Sequence, residues 1–295
     1  VDVFLTGGSG YLGTVLVEHL VGSGHTVHAL ARSDRSAARL TALGATPVPG
    51  DLNATGVLTD AAARADAVVH AAIDDTDPRM GELEAGALAA LLDRASGKPF
   101  VYASTGLVYP FLSSPTSEAF TEDHPVEEAT AAQPHKVAGE RTVLAAGDVL
   151  TTVVRAALVH GRGGSGLVEA VVGLGRRLGS VPYVGDGSQT WSAVHVDDLA
   201  DLFVLALTRP QRGLVVNAAA EATFEIRELA RWAARHTGTE AVSRTPEEAI
   251  DIAPQLAVLG ADLRQDATRA RTTFGWRPTR ASILDDLRSA AYAGT

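Results

Sequence analysis

The eight residues Thr6-Gly7-Gly8-Ser9-Gly10-Tyr11-Leu12-Gly13 constrain this chain more than any others. They follow a short apolar run at residues 1–5 and lead into residues 11–21, where apolar side chains recur at helical spacing. A strand, a glycine-rich turn and a helix in that order point backbone N–H groups and the positive end of the helix dipole at a pyrophosphate, and the missing side chains let it come close. Thr6, Gly7, Ser9, Gly10, Tyr11, Leu12 and Gly13 are therefore expected to hold a dinucleotide.

The rest of the chain repeats the alternation. Residues 26–31 read as a second buried strand, 36–43 as a helix closed by Gly44, and 46–48 as a third strand. Residues 66–72, 100–104 and 151–158 are further apolar runs, spaced by the helix-length segments 81–95 and 134–146. Strands and helices in alternation give parallel strands joined by right-handed crossovers. Beyond about residue 160 the rhythm loosens. A glycine-rich loop at 161–166 is followed by a helical pattern at 168–178, a strand running into a helix at 194–207 capped by Asp197 or Asp198, and a strand at 214–217. Segments 226–237 and 267–291 read as mostly helical. The predicted fold class is α/β, a doubly wound parallel Rossmann sheet with a smaller discontinuous C-terminal lobe. Residues 1–160 with 191–220 would form the cofactor domain, and 161–190 with 221–295 the substrate lobe, with a crevice between them.

Composition narrows the function. With 25 basic against 35 acidic residues, a net charge of -10 and no basic run, nothing tracks a phosphate backbone, so nucleic acid is not an expected partner. No cysteine is present, which removes disulfides, thiolate catalysis and thiolate metal sites together. The nine histidines do not pair with carboxylates at metal-ligand spacing, so no metal is expected. No apolar stretch nears the ~20 residues of a membrane helix, and residue 1 already reads as strand, so a cytoplasmic protein without membrane partners is expected. A nucleophile elbow fails at Ser9 and Ser165, where Tyr11 and Leu167 follow instead of glycine. All but two of the basic residues are arginine. The exceptions are Lys98, which reads as a solvated loop charge, and Lys136.

The end of the second strand decides which nicotinamide cofactor fits. An NAD site places a carboxylate there for the ribose hydroxyls, but the position is Ala31, followed by Arg32 and Ser33. A guanidinium and a hydroxyl suit a 2'-phosphate, so NADP(H) is expected ahead of NAD. Asp51 and Leu52 are placed to meet the adenine, and the small Ala71 and Ala72 to let the cofactor pass.

Taken together, TGGSGYLG at Thr6, GDL at Gly50, VVHAA at Val68, VYASTGLVY at Val101, VVRAALVHG at Val153, YVGDGSQTWSAVHVDDLA at Tyr183 and TFGWRP at Thr273 resemble the extended and atypical short-chain dehydrogenase/reductases, the NAD-dependent epimerase/dehydratase family. The resemblance runs nearly the whole length. It implies proton transfer by a Ser or Thr after the fifth strand and by a Tyr-x-x-x-Lys on the next helix. Thr105 matches the first and Lys136 the lysine, which is expected to bind the cofactor at the nicotinamide ribose hydroxyls, with Glu140 and Arg155 at the usual spacing, but the tyrosine position is Ala132. The chain thus resembles an atypical subgroup that lacks the active-site tyrosine. The resemblance further implies a homodimer through segments 81–95 and 134–146.

A ketone that accepts hydride must be protonated as its alkoxide forms, and alanine cannot do this. His135 is a candidate on the same helical face as Ala132, and Tyr109 is a second, better suited to packing. Tyr183 and Trp191 could shape the substrate crevice. A substrate that delocalises charge, such as an iminium, a quinone-like ring or an enone, would lessen the need. Three functions stay open on this reading: an NADP(H)-dependent oxidoreductase, working as a reductase on a small organic molecule of the secondary-metabolite kind; an epimerase or dehydratase using the cofactor transiently; or a silent NADP(H) sensor.

Overall fold

A computed structural model describes residues 1–73, 77–110, 118–289 and 292. Its strands are β1 (Asp2–Thr6), β2 (Thr26–Ala31), β3 (Thr46–Pro49), β4 (Ala67–His70), β5 (Pro99–Thr105), β6 (Leu150–Ala156), β7 (Leu158–His160), β8 (Ser180–Val184), β9 (Thr190–His195), β10 (Leu214–Ala218), β11 (Thr223–Glu225) and β12 (Glu240–Arg244). The helices are α1 (Tyr11–Gly22), α2 (Asp34–Ala42), α3 (Thr55–Arg64), α4 (Met80–Leu92), α5 (Pro134–Ala145), α6 (Gly166–Leu178), α7 (Val196–Thr208), α8 (Ile226–Thr237), α9 (Pro246–Ile252), α10 (Thr268–Phe274) and α11 (Ile283–Leu287).

Seven strands form one parallel sheet in the order β10-β6-β5-β4-β1-β2-β3. The inner strands read as continuous apolar runs because helices cover both faces: Val3 to Leu5 and Ala67 to Val69 are fully buried. One core packs α1, α7 and α10 against the sheet, and another packs α3, α4 and α5 on the opposite face. This is the expected Rossmann-type α/β fold. The chain winds outward from β1 to β3, then returns to β4 and winds the other way. Connections therefore diverge above the ends of β1 and β4 and leave a crevice there.

A third core gathers α6, α8, Trp191, Phe224 and the segment around Leu256 to Leu263. It carries two small sheets, β11-β9-β7 and the parallel pair β12-β8. Neither β8 nor β12 stands out in the sequence, since both are short and only partly apolar and their pairing spans distant segments.

Several local expectations change. The apolar run at 151–158 is two strands: β6 stays in the main sheet, while β7 joins β9 elsewhere. The cap of α7 is His195, whose Nδ1 accepts from Asp197 N at 3.2 Å, whereas Asp197 and Asp198 sit inside the first turn. Segment 267–291 is not one helical stretch. Gly275, at φ +69°, closes α10, the left-handed cap that glycine adopts without a Cβ penalty, and positions 290–291 lie outside the described residues. Lys98 is no solvated charge. Its ammonium donates to the carbonyls of Ala62, Ala63 and Ala65 at 2.7–2.8 Å, satisfying the otherwise orphaned end of α3. Among the described residues no helix is long and apolar enough to cross a membrane, and no cluster of three or more ligand-type side chains is placed to hold a metal.

Candidate active site

The glycine turn is locked between the ends of β1 and β4. Gly7 adopts φ +79°, and a Cβ there would lie 2.5 Å from the carbonyl oxygen of Ala71 and 2.6 Å from the nitrogen of Ala72. A Cβ at Gly13 would fall on the carbonyl of Gly7. Helix α1 has Gly10 as its N-cap and no side-chain cap, so its first-turn amides are left for the crevice. Around this turn opens a cleft of about 1020 Å³ lined by Gly7, Ser9, Gly10, Tyr11, Leu12 and Gly13, then by Arg32, Asp51, Leu52, Ala71 and Ala72. A cradle that a Cβ would fill, with uncapped amides behind it, fits the pyrophosphate of a nicotinamide dinucleotide.

Two of the expected cofactor residues have other tasks. Thr6 is fully buried, with Oγ1 2.6 Å from His70 Nδ1, tying β1 to β4. Ser33 caps α2, its Oγ accepting from Ser36 N while Ser36 Oγ accepts from Ser33 N. Neither lines the cleft. Tyr11 does, yet its hydroxyl donates to Gly161 O at 2.7 Å and its ring sits where a Cβ on Gly164 would go. The turn is thereby fastened to the loop at 161–164.

At the far end of the cleft stand Thr105 and Lys136. Thr105 Oγ1 accepts from Leu107 N at 3.1 Å, so its own hydrogen remains available. Lys136 is buried, and its ammonium donates to Glu84 Oε1 at 2.6 Å and Ala103 O at 3.2 Å. Glu84 Oε1 also accepts from Tyr102 at 2.8 Å, and the Lys136 ammonium lies 4.8 Å above the Tyr102 ring. Glu84 is 1% exposed and comes from the buried stripe of α4, in phase with Met80, Ala87 and Leu88. A lone carboxylate on an apolar helical stripe was the sequence signal for it, and it was overlooked.

The expected helical face shared by Ala132 and His135 does not exist. Pro134 occupies the first turn of α5, so Ala132 lies before the helix, its N–H donating to Leu107 O at 2.9 Å. His135 points toward α4, with Nε2 3.9 Å from Glu84 Oε2, and does not line the cleft. Tyr109 is fully buried in the third core, stacked on Phe120. It donates to Asn217 Oδ1 at 2.8 Å, and Arg155 Nη1 donates to its oxygen at 3.1 Å. Burial raises the phenols of Tyr102 and Tyr109 above their ordinary range, the opposite of tuning toward neutral pH. The Glu140 and Arg155 that set the register of Lys136 form a buried ion pair at 2.7 Å, and Ser104 donates to Glu140 at 2.5 Å.

His70 stacks on Tyr102 and is fully buried. Burial, and then the charge of Lys136, pull its pKa from 6.5 down to about 3. The folded protein therefore refuses a proton that the unfolded chain takes up below about pH 6.5, so stability from this residue is complete above that pH and is lost as pH falls toward 3. The slope is ~1.4 kcal/mol per pH unit. Unfolding free energies from urea titrations between about pH 6 and about pH 4.5 should fall with pH less steeply in His70→Gln than in the wild type, by about this slope.

On the other wall, Trp191 lines the cleft and its Nε1 donates to Ala261 O at 2.8 Å. Tyr183 does not line it; the side chain packs in the third core beside Gly187. Leu107, Leu158, Leu167, Val258, Leu263 and Gln265 complete this wall, and the sequence singled out none of them.

A model of the NAD dependent epimerase/dehydratase family matches residues 3–219. An uncharacterized protein of Schizosaccharomyces pombe is 31% identical over 98% of this chain and 99% of its own length. A Stigmatella aurantiaca enzyme named as the 4-hydroxy-2-methyl-3-oxo-4-farnesyl-3,4-dihydroquinoline-1-oxide ketoreductase is 29% identical, covering 99% of this chain and 97% of that one. Among solved structures, MoeE5 in complex with UDP-glucose and NAD superposes with a TM-score of 0.77 at 22% identity, covering 99% of this chain and 97% of that chain.

Proposed function

Because this chain belongs to the NAD dependent epimerase/dehydratase family and is an NAD(P)-dependent oxidoreductase of the short-chain dehydrogenase/reductase superfamily, we propose that it reduces the carbonyl group of a small organic molecule with NADPH. The single observation that carries this reading is the pairing, in one cleft, of the glycine cradle at Gly7 and Gly13 with the Thr105 hydroxyl and the Lys136 ammonium. The sheet side of the cleft holds the cofactor in this reading. Segments 161–190 and 221–295, together with Leu107, Leu158 and Trp191, contribute the substrate wall.

The bound nicotinamide supplies hydride. Thr105, already accepting from Leu107 N, turns its hydrogen to the substrate oxygen. Lys136 has spent two ammonium protons on Glu84 and Ala103 O, and the third is left for the cleft. With alanine at 132, these are the two groups among the described residues at this end of the cleft that we assign to give a proton toward the oxygen, since Ser104 gives its own to Glu140. Tyr109 and Tyr102 work behind the site, holding Arg155, Asn217 and Glu84. The Stigmatella enzyme is a reductase by name, and its named substrate carries the oxo group beside a hydroxylated carbon. That chemistry supports reduction of a ketone here.

Arg32 stands on the cleft rim at the end of β2, where a 2'-phosphate would lie, and it carries the preference for NADPH. A charge-assisted hydrogen bond of ~1.5–3 kcal/mol corresponds to about 10- to 100-fold in affinity. Arg32→Ala should weaken NADPH by that factor and leave NADH unchanged, as read by nucleotide fluorescence. If the purified wild type fails to bind NADPH, the proposed function falls.

A further inference from the structure

We infer that Gln265 is a specificity residue that accepts a hydrogen bond from a hydroxyl or N–H group next to the carbonyl being reduced, so that the preferred substrates are hydroxy or amino ketones. This rests on the reductase reading of the cleft. Gln265 lines the cleft and is 8% exposed. Its backbone is held by Ser192, whose Oγ accepts from Gln265 N at 3.0 Å.

The orientation of its amide follows from its neighbours. Asn217 Nδ2 donates to the carbonyls of Phe120 and Asp266, at 2.9 and 3.0 Å, and its Oδ1 accepts from Tyr109. Asn217 therefore presents oxygen to Gln265. The other neighbour at that end is the carbonyl of Arg155. Two acceptors require a donor between them, so Nε2 of Gln265 faces Asn217 Oδ1 at 3.3 Å and Arg155 O at 3.4 Å. Oε1 therefore lies at the opposite end, where it is buried and has no hydrogen-bond partner among the described residues.

Glycine at 106 makes this placement possible. A Cβ there would meet Nε2 at 2.9 Å and Cδ and Oε1 at 3.0 Å each. Nearly equal distances mean that the amide lies flat over the Gly106 backbone, one residue beyond Thr105. A buried acceptor without a donor is costly, and it rejects the lone pairs of another carbonyl or a phosphate. It suits O–H or N–H. Both Nε2 bonds are long and the terminal torsion of glutamine is soft, so the amide can turn Oε1 to a ligand at the loss of two weak bonds, which the stronger bond to the ligand's donor replaces. Thr105 offers a hydrogen and Gln265 an oxygen, a complementary pair for a carbonyl and the donor beside it. Leu107, Leu158, Trp191 and Leu263 supply an apolar wall for the rest of the molecule.

The test compares 2-hydroxyacetophenone with propiophenone, which differ only by hydroxyl against methyl beside the carbonyl. Calorimetry on the wild type saturated with NADP+ should give at least tenfold tighter binding of the hydroxy ketone. In Gln265→Met, of similar size but without the acceptor, the ratio should fall to about one while NADPH affinity stays unchanged. Equal binding in the wild type overturns the inference, and so does a preference that survives in Gln265→Met or a failure of both ketones to bind a protein that binds NADPH. The wild-type ratio decides even if the variant does not fold. Absence of NADPH binding itself would instead strike the reductase reading.

Discussion

Lys136→Met is expected to cost ~3–5 kcal/mol of stability, because it leaves the Glu84 carboxylate buried without its cation, and to abolish turnover. Glu84 is 1% exposed, and its partners would shrink to the Tyr102 hydroxyl and two imidazoles at 3.9 Å. The two effects separate in a double variant. Lys136→Met with Glu84→Leu removes both charges together and should regain much of the lost stability in urea unfolding. Turnover should stay absent in the double variant, since the ammonium facing the cleft is still missing. If turnover survived in either protein, Lys136 would have no part in catalysis. If the double variant were as unstable as the single one, the ion pair would not be what the lysine contributes to the fold.

Gly7→Ala should be destabilising by ~2–5 kcal/mol and should weaken NADPH binding at least tenfold. A left-handed backbone costs an L-residue ~1–2 kcal/mol, and forcing a methyl into closed packing adds ~1–3 kcal/mol. The methyl would meet backbone atoms of Ala71 and Ala72, which cannot rotate away as a side chain could. Gly24→Ala is the control, because Gly24 has φ +83° but open space around its Cβ position. It should pay only the conformational cost and leave NADPH affinity untouched. Thermal unfolding and nucleotide fluorescence on the two variants measure both parts. A Gly7→Ala protein that bound NADPH like the wild type would show that the turn need not approach the cofactor.

The sheet was legible because it depends on local pattern. Short apolar strands between helix-length segments predict parallel winding whatever lies opposite. The small sheets of the third core were not legible, since β8 and β12 owe their pairing to segments 60 residues apart and neither is apolar enough to announce itself. His195 was passed over as the cap of α7 because two aspartates beside it are the more usual caps. Lys98 was misread because a side chain reaching the carbonyls of a helix end 33–36 residues earlier leaves no periodic trace.

The same division runs through the site. By itself the sequence determined the glycine cradle and the alanine and arginine, in place of a carboxylate, at the end of β2, for each depends on the presence or absence of one side chain at a position fixed by local spacing. Only the tertiary structure decided what those residues touch. It withdrew Thr6 and Ser33 into structural hydrogen bonds, took Ala132 off the helix, joined Lys136 to a buried Glu84 from another element, and left the side-chain oxygen of Gln265 without a donor among the described residues. Hydrogen bonds and burial are set by groups far apart in the chain, and a linear pattern carries no record of that distance.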